Sequence, residues 1–260
     1  MTTTSALASL IPPVGQAGGP LPRAGNVLAV TARPGPESAA LGGLLYAFRR
    51  AGASLGLLCL TRGEASPANA TCARLESVRP WELQMAANVL GISWVAVASY
   101  PDGGLRRQPA AELVERVRRA IREHAADLLL VPDPAAGDPD DTAASAAACA
   151  AARQADVPVA ARTWPGGRGA WMIDLGADAA TARAIQKAAA AAHESQSPAL
   201  PQLILRLDRL DGREHVRWLV PRAEDIPGAA AGPHGTAAQE RDSADIKAPV
   251  HISGLAAAKA

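Results

Sequence analysis

Residues 26–60 read NVLAVTARPGPESAALGGLLYAFRRAGASLGLLCL, and their pattern indicates the fold class. Its first six residues, Asn26 to Thr31, form a short apolar run that is typical of a buried strand. From Ser38 to Ala51 the apolar residues recur every three or four positions, which predicts a helix with one packed face. Leu55 to Leu60 is a second short apolar run. The order strand, helix, strand indicates one unit of a mostly parallel sheet.

The same alternation continues downstream. The pattern predicts helices over Arg79 to Leu90 and Ala110 to His124, and strands over Trp94 to Ser99 and Leu128 to Val131. Pro80 is expected only in the first turn of its helix. The elements predicted after residue 132 are a helix over 143–152, strands over 157–164 and 171–175, and a helix over 181–193.

The last predicted elements are two antiparallel strands, Leu203 to Leu207 and His215 to Val220, joined by a turn at Asp211 and Gly212. They either edge the main sheet or form a small second one. The expected fold class is therefore α/β, a Rossmann-like three-layer sandwich with a mostly parallel sheet and a C-terminal antiparallel strand pair.

Composition divides the chain into one domain and two tails. Residues 1–24 and 227–260 are rich in small residues and proline without periodicity, so both are predicted to be disordered tails. Residues 25–226 carry the alternating pattern and are predicted to form one α/β domain.

Charge and cysteine content exclude several classes of function. The 26 basic and 25 acidic residues balance, so no general field attracts nucleic acid. No apolar run approaches the ~20 residues of a membrane span, and no signal peptide is expected. Cys59, Cys72 and Cys149 form neither a disulfide framework nor a zinc ribbon, and Cys59 is expected in the core. We expect a cytoplasmic protein that binds neither nucleic acid nor membrane.

Two loops are the expected place for chemistry. In open parallel sheets, ligands bind beyond the carboxyl ends of the strands. The loops after the first and fourth predicted strands are Arg33 to Glu37 and Asp133 to Asp141, and both are rich in charged side chains.

Five short motifs, in order between residues 26 and 196, resemble the LmbE/PIG-L family of zinc-dependent de-N-acetylases. They are Glu37 with Leu41-Gly42-Gly43, Thr61-Arg62-Gly63-Glu64, Arg79 with Glu82, Pro101-Asp102-Gly103-Gly104-Leu105, and Ala192-His193-Glu194-Ser195-Gln196. Each motif alone is weak, whereas five in the same order are fairly specific. The resemblance implies the three-layer fold and a crevice that binds a small polar, sugar-like molecule.

The zinc motifs of that family are altered in this chain. Where the family has Ala-His-Pro-Asp-Asp-Glu, residues 32–37 read ARPGPE, and where it has His-Pro-Asp-His, residues 138–141 read DPDD. By this resemblance, Arg33, Pro36 and Asp141 occupy the three metal-ligand positions, and Gly35 replaces the general base. Zinc sites use imidazole, thiolate and carboxylate ligands, and a guanidinium stays charged at any relevant pH.

We therefore expect no metal and no cofactor, with Arg33 replacing the metal electrostatically and paired with an aspartate of the second loop. The candidate catalytic residues are Arg33, Glu37, Asp138, Asp140 and Asp141. Alternatives remain open. Arg33 and the acidic loop are simply exposed, or the carboxylates with Glu37 bind Mg²⁺ or Ca²⁺, or Glu37 only interacts with a helix dipole.

The resemblance also assigns substrate-binding roles. The family's counterparts of Arg79 and Asp102 line the sugar side of the pocket, and His193 belongs to the last motif. The alternatives are surface charges for the first two and a structural or capping histidine for His193.

Three functions follow from these residues. The first is a non-hydrolytic relative that binds a small polar, aminosugar-like or amide-like ligand, or regulates a partner protein. The second is a metal-free enzyme that uses Arg33 and one of Asp138, Asp140 or Asp141 as base. The third is a hydrolase that still cleaves a C–N amide bond with a relocated metal. The pattern leaves open whether the chain forms a homo-oligomer.

Overall fold

A computed structural model describes residues 19–66, 74–167, 169–210 and 212–222. Within these ranges the chain forms one seven-stranded sheet. The strands are β1 (Asn26–Thr31), β2 (Ser54–Thr61), β3 (Trp94–Tyr100), β4 (Leu128–Pro132), β5 (Val159–Thr163), β6 (Trp171–Asp174) and β7 (Arg213–Val220). The helices are α1 (Pro36–Ala39), α2 (Gly42–Arg50), α3 (Leu75–Leu90), α4 (Ala110–His124), α5 (Pro139–Ala155), α6 (Ala179–Ala191) and α7 (Leu200–Asp208).

The sheet order is β3-β2-β1-β4-β5-β7-β6. Strands β1 to β5 are parallel, and β7 pairs antiparallel with both β5 and β6. This confirms the predicted fold class. The chain leaves β1 toward β2 and later returns to its other side with β4, so the strand order reverses there. The loops after β1 and β4 therefore flank one crevice at the carboxyl edge of the sheet.

Helices cover both faces of the sheet. Val27 and Ala29 of β1 pack into one core with α2, α3 and α6, whereas Leu28 and Val30 pack into a second core with α4 and α5. Because both faces are covered, the strands read as continuous apolar runs without alternation. Cys59 is fully buried, as expected.

One predicted strand is wrong. Leu203 to Leu207 lies in helix α7, and β6 supplies the antiparallel partner that β7 was expected to find there. The apolar run from Leu203 to Leu207 fits both the helical period and the alternating period of a strand. Leu207 is fully buried, whereas Leu205 is 55% exposed. In a strand these two residues would share one face, but in helix α7 they lie on different sides. Asp211, in the predicted turn, lies outside the described residues.

Several helices differ from their predicted bounds, including α5 (predicted over 143–152) and α6 (predicted over 181–193). Helix α3 begins at Leu75, so Pro80 lies in its interior. The carbonyl that loses its hydrogen-bond partner is that of Glu76, whose side chain is exposed. The predicted helix from Ser38 to Ala51 is divided into α1 and α2, with Glu37 in the first turn of α1. The predicted tails fall largely outside the described residues, and they stay predictions. Among the described helices, none is long and apolar enough to cross a membrane.

Two substitutions in α7 test its helical assignment. We expect Leu207→Ala to lower the free energy of unfolding by about 2–5 kcal/mol, because it opens a cavity under a fully buried side chain. Leu205→Ala is the matched control, with an expected change within about 0.5 kcal/mol. Urea unfolding of both variants measures the difference, and equal losses would contradict the helix.

Candidate functional site

Arg33, which follows β1, forms an ion pair at the carboxyl edge of the sheet. Its Nη1 and Nη2 atoms donate to the two carboxylate oxygens of Asp138 at 2.8 and 2.9 Å. Its Nε donates to Oδ1 of Asp102 at 3.1 Å. The hydrogen bond with Asp138 is the main cause that raises the pKa of Arg33 above its ordinary value. The expected pairing of Arg33 with an aspartate of the second loop is present, and the partner is Asp138.

Asp138 has a second role as the N-cap of α5. Its Oδ1 accepts the backbone N–H groups of Asp140 at 2.9 Å and Asp141 at 3.1 Å. A carboxylate at this position satisfies free N–H groups of the first helical turn. The hydrogen bond from Arg33 lowers the pKa of Asp138, so the carboxylate stays ionised. One side chain thus fixes both the arginine and the helix.

Asp102 lies in the turn after β3, and its side chain is buried. Its second oxygen accepts the backbone N–H of Ala65 at 3.1 Å, and its own N–H donates to Glu64 at 2.9 Å. The alternative of a surface charge does not describe this side chain. Its contacts connect the loop after β2 with Arg33.

Asp140 and Asp141 are neighbours in sequence and have different environments. Asp140 is buried, and its two oxygens accept the N–H groups of Gly103 at 2.7 Å and Leu105 at 3.1 Å. Asp141 is half-buried, and its Oδ1 has no partner among the described residues. Burial raises the pKa of Asp141 to about 6, with Arg33 opposing the shift and the nearby aspartates Asp138, Asp140 and Asp102 adding to it. Asp141 therefore has a carboxylate oxygen that no described group binds.

Glu37 forms a second buried pair, with His193. The His193 Nε2 lies 2.6 Å from Glu37 Oε1, and both side chains are almost completely buried. Glu37 also accepts from Ser38 Oγ at 2.8 Å and from the N–H of Gly35 at 2.7 Å. Burial opposes ionisation, but these hydrogen bonds, led by that of His193, lower the pKa of Glu37. The carboxylate does more than interact with a helix dipole.

Arg79 connects two loops of the crevice through hydrogen bonds to their backbone. Its Nη1 donates to the carbonyl of Gly63 and its Nη2 to the carbonyl of Pro34, at 2.5 and 2.6 Å. The side chain is buried, and burial lowers its pKa. These contacts join the loops after β1 and β2. A substrate-binding role for Arg79 stays a prediction, since both of these groups are occupied by backbone.

A further contact escaped the sequence reasoning. Glu82 accepts the N–H and the hydroxyl of Ser195 at 2.6 and 2.7 Å, and Ser66 donates to Gln196 at 2.5 Å. The signal was available, since Glu82 ends one motif and Ser195 belongs to another. Nothing in their spacing says that the two motifs meet.

These side chains do not fit a zinc ion. The guanidinium of Arg33 carries a fixed positive charge at the centre of the group, and Asp138 already neutralises it. Both oxygens of Asp140 are occupied by N–H donors. Across the described ranges, no three His, Cys, Asp or Glu side chains lie close enough together to hold a metal ion.

Part of the chain matches a known family model. Residues 28–152 match the family model described as PIG-L, GlcNAc-PI de-N-acetylase. The chain is 31% identical over 103 residues to a protein of Bacillus anthracis named "Probable N-acetyl-alpha-D-glucosaminyl L-malate deacetylase 2". That alignment covers 38% of this chain and 46% of the relative, so the chain spans about half the length of the relative it matches.

Solved structures share the fold. The N,N'-diacetylchitobiose deacetylase of Pyrococcus horikoshii superimposes with a TM-score of 0.60 and 17% identity, covering 77% of this chain and 86% of that one. The 4-carboxy-2-hydroxymuconate hydratase of Pseudomonas putida has a TM-score of 0.61 and 18% identity, covering 76% and 97%. The family resemblance predicted from the five motifs is confirmed.

The raised pKa of Asp141 predicts that its contribution to the free energy of unfolding depends on pH. A carboxyl group whose pKa is raised on folding costs stability when it ionises, so the cost is absent below its ordinary pKa of 3.8 and complete above about 6. We expect Asp141→Asn to raise the free energy of unfolding by up to about 2–3 kcal/mol at pH 7.5, and by nothing at pH 3.5. Denaturant unfolding across this range measures it. Exposed Asp156→Asn is the control, and a pH-independent difference at Asp141 would contradict the assignment.

Proposed function

We propose that the protein binds a small polar, aminosugar-like or amide-like ligand in the crevice and does not hydrolyse it by zinc chemistry. The match of residues 28–152 to the PIG-L family model supports a ligand of this class. The observation that carries the proposal is the ion pair of Arg33 with Asp138. By the motif resemblance, Arg33 stands where a zinc-binding histidine is expected.

Zinc-dependent amide hydrolysis needs a bound zinc ion and a general base, and the residues of this site supply neither. Attack on an amide at neutral pH needs an activated water, and a bound zinc supplies it by lowering the pKa of that water. The residues around Arg33 do not fit zinc. The residue in the position of the base is Gly35, which has no side-chain carboxylate. This combination supports binding without zinc-dependent turnover.

The remaining polar groups suit a ligand with hydroxyl and amide groups. The side chain of Arg33 is 25% exposed and that of Asp138 is 34% exposed, so both face the crevice while they are paired with each other. Asp141 lies behind them, with a buried Oδ1 that has no partner among the described residues. Charged side chains held in place by their neighbours form strong hydrogen bonds with such groups.

The fold does not require deacetylation. The two structures compared above are named as a deacetylase and a hydratase, so one architecture carries two reaction types. Function therefore has to be argued from the residues of the site. The Bacillus anthracis relative is named as a deacetylase. Zinc-dependent deacylation by this chain would therefore refute the proposal.

A second candidate function is metal-free catalysis with Asp141 as general base. It is favoured by the carboxylate that has an unpaired oxygen and a pKa of about 6 beside a fixed guanidinium. A base with a pKa near the working pH is efficient in proton transfer. In this function Arg33 polarises a carbonyl group of the substrate.

Metal content and acetate release test the first proposal. We expect protein incubated with zinc and then dialysed to retain less than about 0.1 metal ion per chain, because Arg33 repels a dication. N-acetylglucosamine should bind, as seen by ligand-observed NMR, without release of acetate. Mass spectrometry of the metal and an acetate assay measure both. One tightly held transition metal per chain, with turnover that chelators abolish, would refute the proposal.

A restoring variant is the matched control. Arg33→His, Gly35→Asp, Pro36→Asp and Asp141→His together restore the family's residues at the three metal-ligand positions and at the position of the base. We expect the combined variant to retain about one zinc ion per chain, because it supplies two imidazoles and a carboxylate. If both proteins bind zinc equally, then the metal lies elsewhere and the argument from Arg33 fails.

The second candidate predicts a distinct pH profile. Turnover of p-nitrophenyl acetate or N-acetylglucosamine should persist in EDTA, and kcat/KM should rise through pH about 6 as Asp141 loses its proton. Asp141→Asn should reduce kcat/KM by about 100-fold or more, whereas exposed Asp156→Asn should not change it. A rate that is flat between pH 5 and pH 8 would exclude Asp141 as the base.

A further inference from the structure

Two buried arginines share one glutamate beside the crevice. Arg162 of β5, Arg183 of α6 and Glu214 of β7 are 2%, 8% and 0% exposed. Arg162 Nε donates to Glu214 Oε2 at 3.2 Å, and Arg183 Nη1 donates to the other oxygen of the same carboxylate. The cluster therefore holds two positive charges against one negative charge.

Within the described part of the chain, each of the two arginines has a buried guanidinium nitrogen without a hydrogen-bond partner. The buried atoms Arg162 Nη2 and Arg183 Nε have no partner among the described residues. An uncompensated buried charge costs several kcal/mol, and natural proteins rarely keep one without a partner. The two guanidinium groups thus retain N–H donors, which are suited to the oxygens of an oxyanion.

Neighbouring acidic groups do not supply that charge. Asp133 follows β4 next to Arg162, but Arg217 donates to both of its oxygens, at 2.6 and 3.2 Å. His215, on the strand that carries Glu214, has its pKa lowered by burial and then by the charge of Arg162. The local field is therefore positive.

The cluster adjoins the candidate site. Arg162 lies in register with Pro132, the last residue of β4, at the carboxyl edge of the sheet. Arg183 binds Gln186 at 2.7 Å, and Gln186 in turn donates to the carbonyl of Ser38 at 3.0 Å. Ser38 is the hydroxyl donor to Glu37. A chain of hydrogen bonds thus links the cluster to Glu37 of the candidate site.

Trp164 covers Arg162 on the solvent side. Its ring centroid lies 4.0 Å from Cζ of Arg162, and the residue is 40% exposed. A cation stacked on an indole face is stabilised by the electrons of the ring. The indole lies between the guanidinium of Arg162 and solvent.

We propose that Arg162 and Arg183 form a subsite for an oxyanion, the carboxylate or phosphate group of the ligand, with Trp164 as its cover. The subsite adds an anionic group to the ligand proposed above, and it rests on that proposal only for the position of the rest of the ligand. Arginine suits this role because its planar N–H groups match the oxygens of carboxylate and phosphate.

Anion binding to the whole chain tests the subsite. The probes are succinate and inorganic phosphate, each compared with sodium chloride at equal ionic strength. At a concentration about 100-fold above Kd, we expect the midpoint of thermal unfolding to rise by about 5 °C or more. A response to succinate alone identifies a carboxylate site, a response to phosphate alone identifies a phosphate site, and a response to both identifies a general oxyanion site.

Arg162→Gln is the decisive variant. It keeps a donor for Glu214 and removes the excess charge, so we expect the anion-dependent shift to disappear while the ligand-free midpoint stays equal or rises. Arg119→Gln is the control, because Arg119 is an exposed arginine paired with Glu123, and it should keep the full shift. If Arg162 were only structural, then Arg162→Gln would lower the ligand-free midpoint and neither anion would stabilise the wild type.

Fluorescence gives an independent measurement. We expect anion binding to change tryptophan emission in the wild type and not in Trp164→Phe, since Trp164 contacts the guanidinium. No response of the wild type to either anion, or equal responses of the Arg162 and Arg119 variants, would overturn the subsite. A metal found near Arg33 would refute the proposed function and leave this result unaffected, so the two failures are distinguishable.

Discussion

The ion pair of Arg33 with Asp138 is the interaction on which the arrangement of the crevice depends. It joins the end of β1 to the start of α5, and Asp102 attaches the turn after β3 to the same guanidinium. A half-buried guanidinium without these carboxylates is costly, so the three loops are held together by charge as well as by packing. Because Asp138 also caps α5, the pair orients the helix that carries Asp140 and Asp141.

A second layer of buried polar pairs ties the late part of the chain to the early part. His193 contacts Glu37, and Ser195 contacts Glu82, across more than 100 residues of sequence. Arg79 adds bonds to the backbone of two loops. Such groups are costly to bury alone and specific when they are paired, so they determine how the segment after α6 closes over the β1 loop.

Arg33 places a positive charge between the acidic loops of the crevice. This charge partly compensates the carboxylates of Asp102 and Asp138 that contact it. A guanidinium donates hydrogen bonds and has no site for an activated water. In the binding function that we propose, Arg33 supplies the positive charge of the crevice and no Lewis acid is used.

The period of the apolar residues allowed most of the fold to be predicted, because burial on one face or on both is a local property of sequence. It located β1 and α4 at their observed bounds and failed at Leu203 to Leu207, where a run of five residues fits both periods. Motif order also placed Arg33 beside the acidic loop.

The sequence does not show which aspartate pairs with Arg33, because the pairing depends on how distant segments pack. Asp138, Asp140 and Asp141 lie within four residues and are equivalent by composition, but the N-cap position turns Asp138 toward the arginine, Asp140 binds the Gly103 turn and Asp141 stays unpaired. The same holds for Arg162, Arg183 and Glu214, which come from separate elements. Sequence determines the residues and their local structure, whereas charge pairing over long separations depends on how the layers pack.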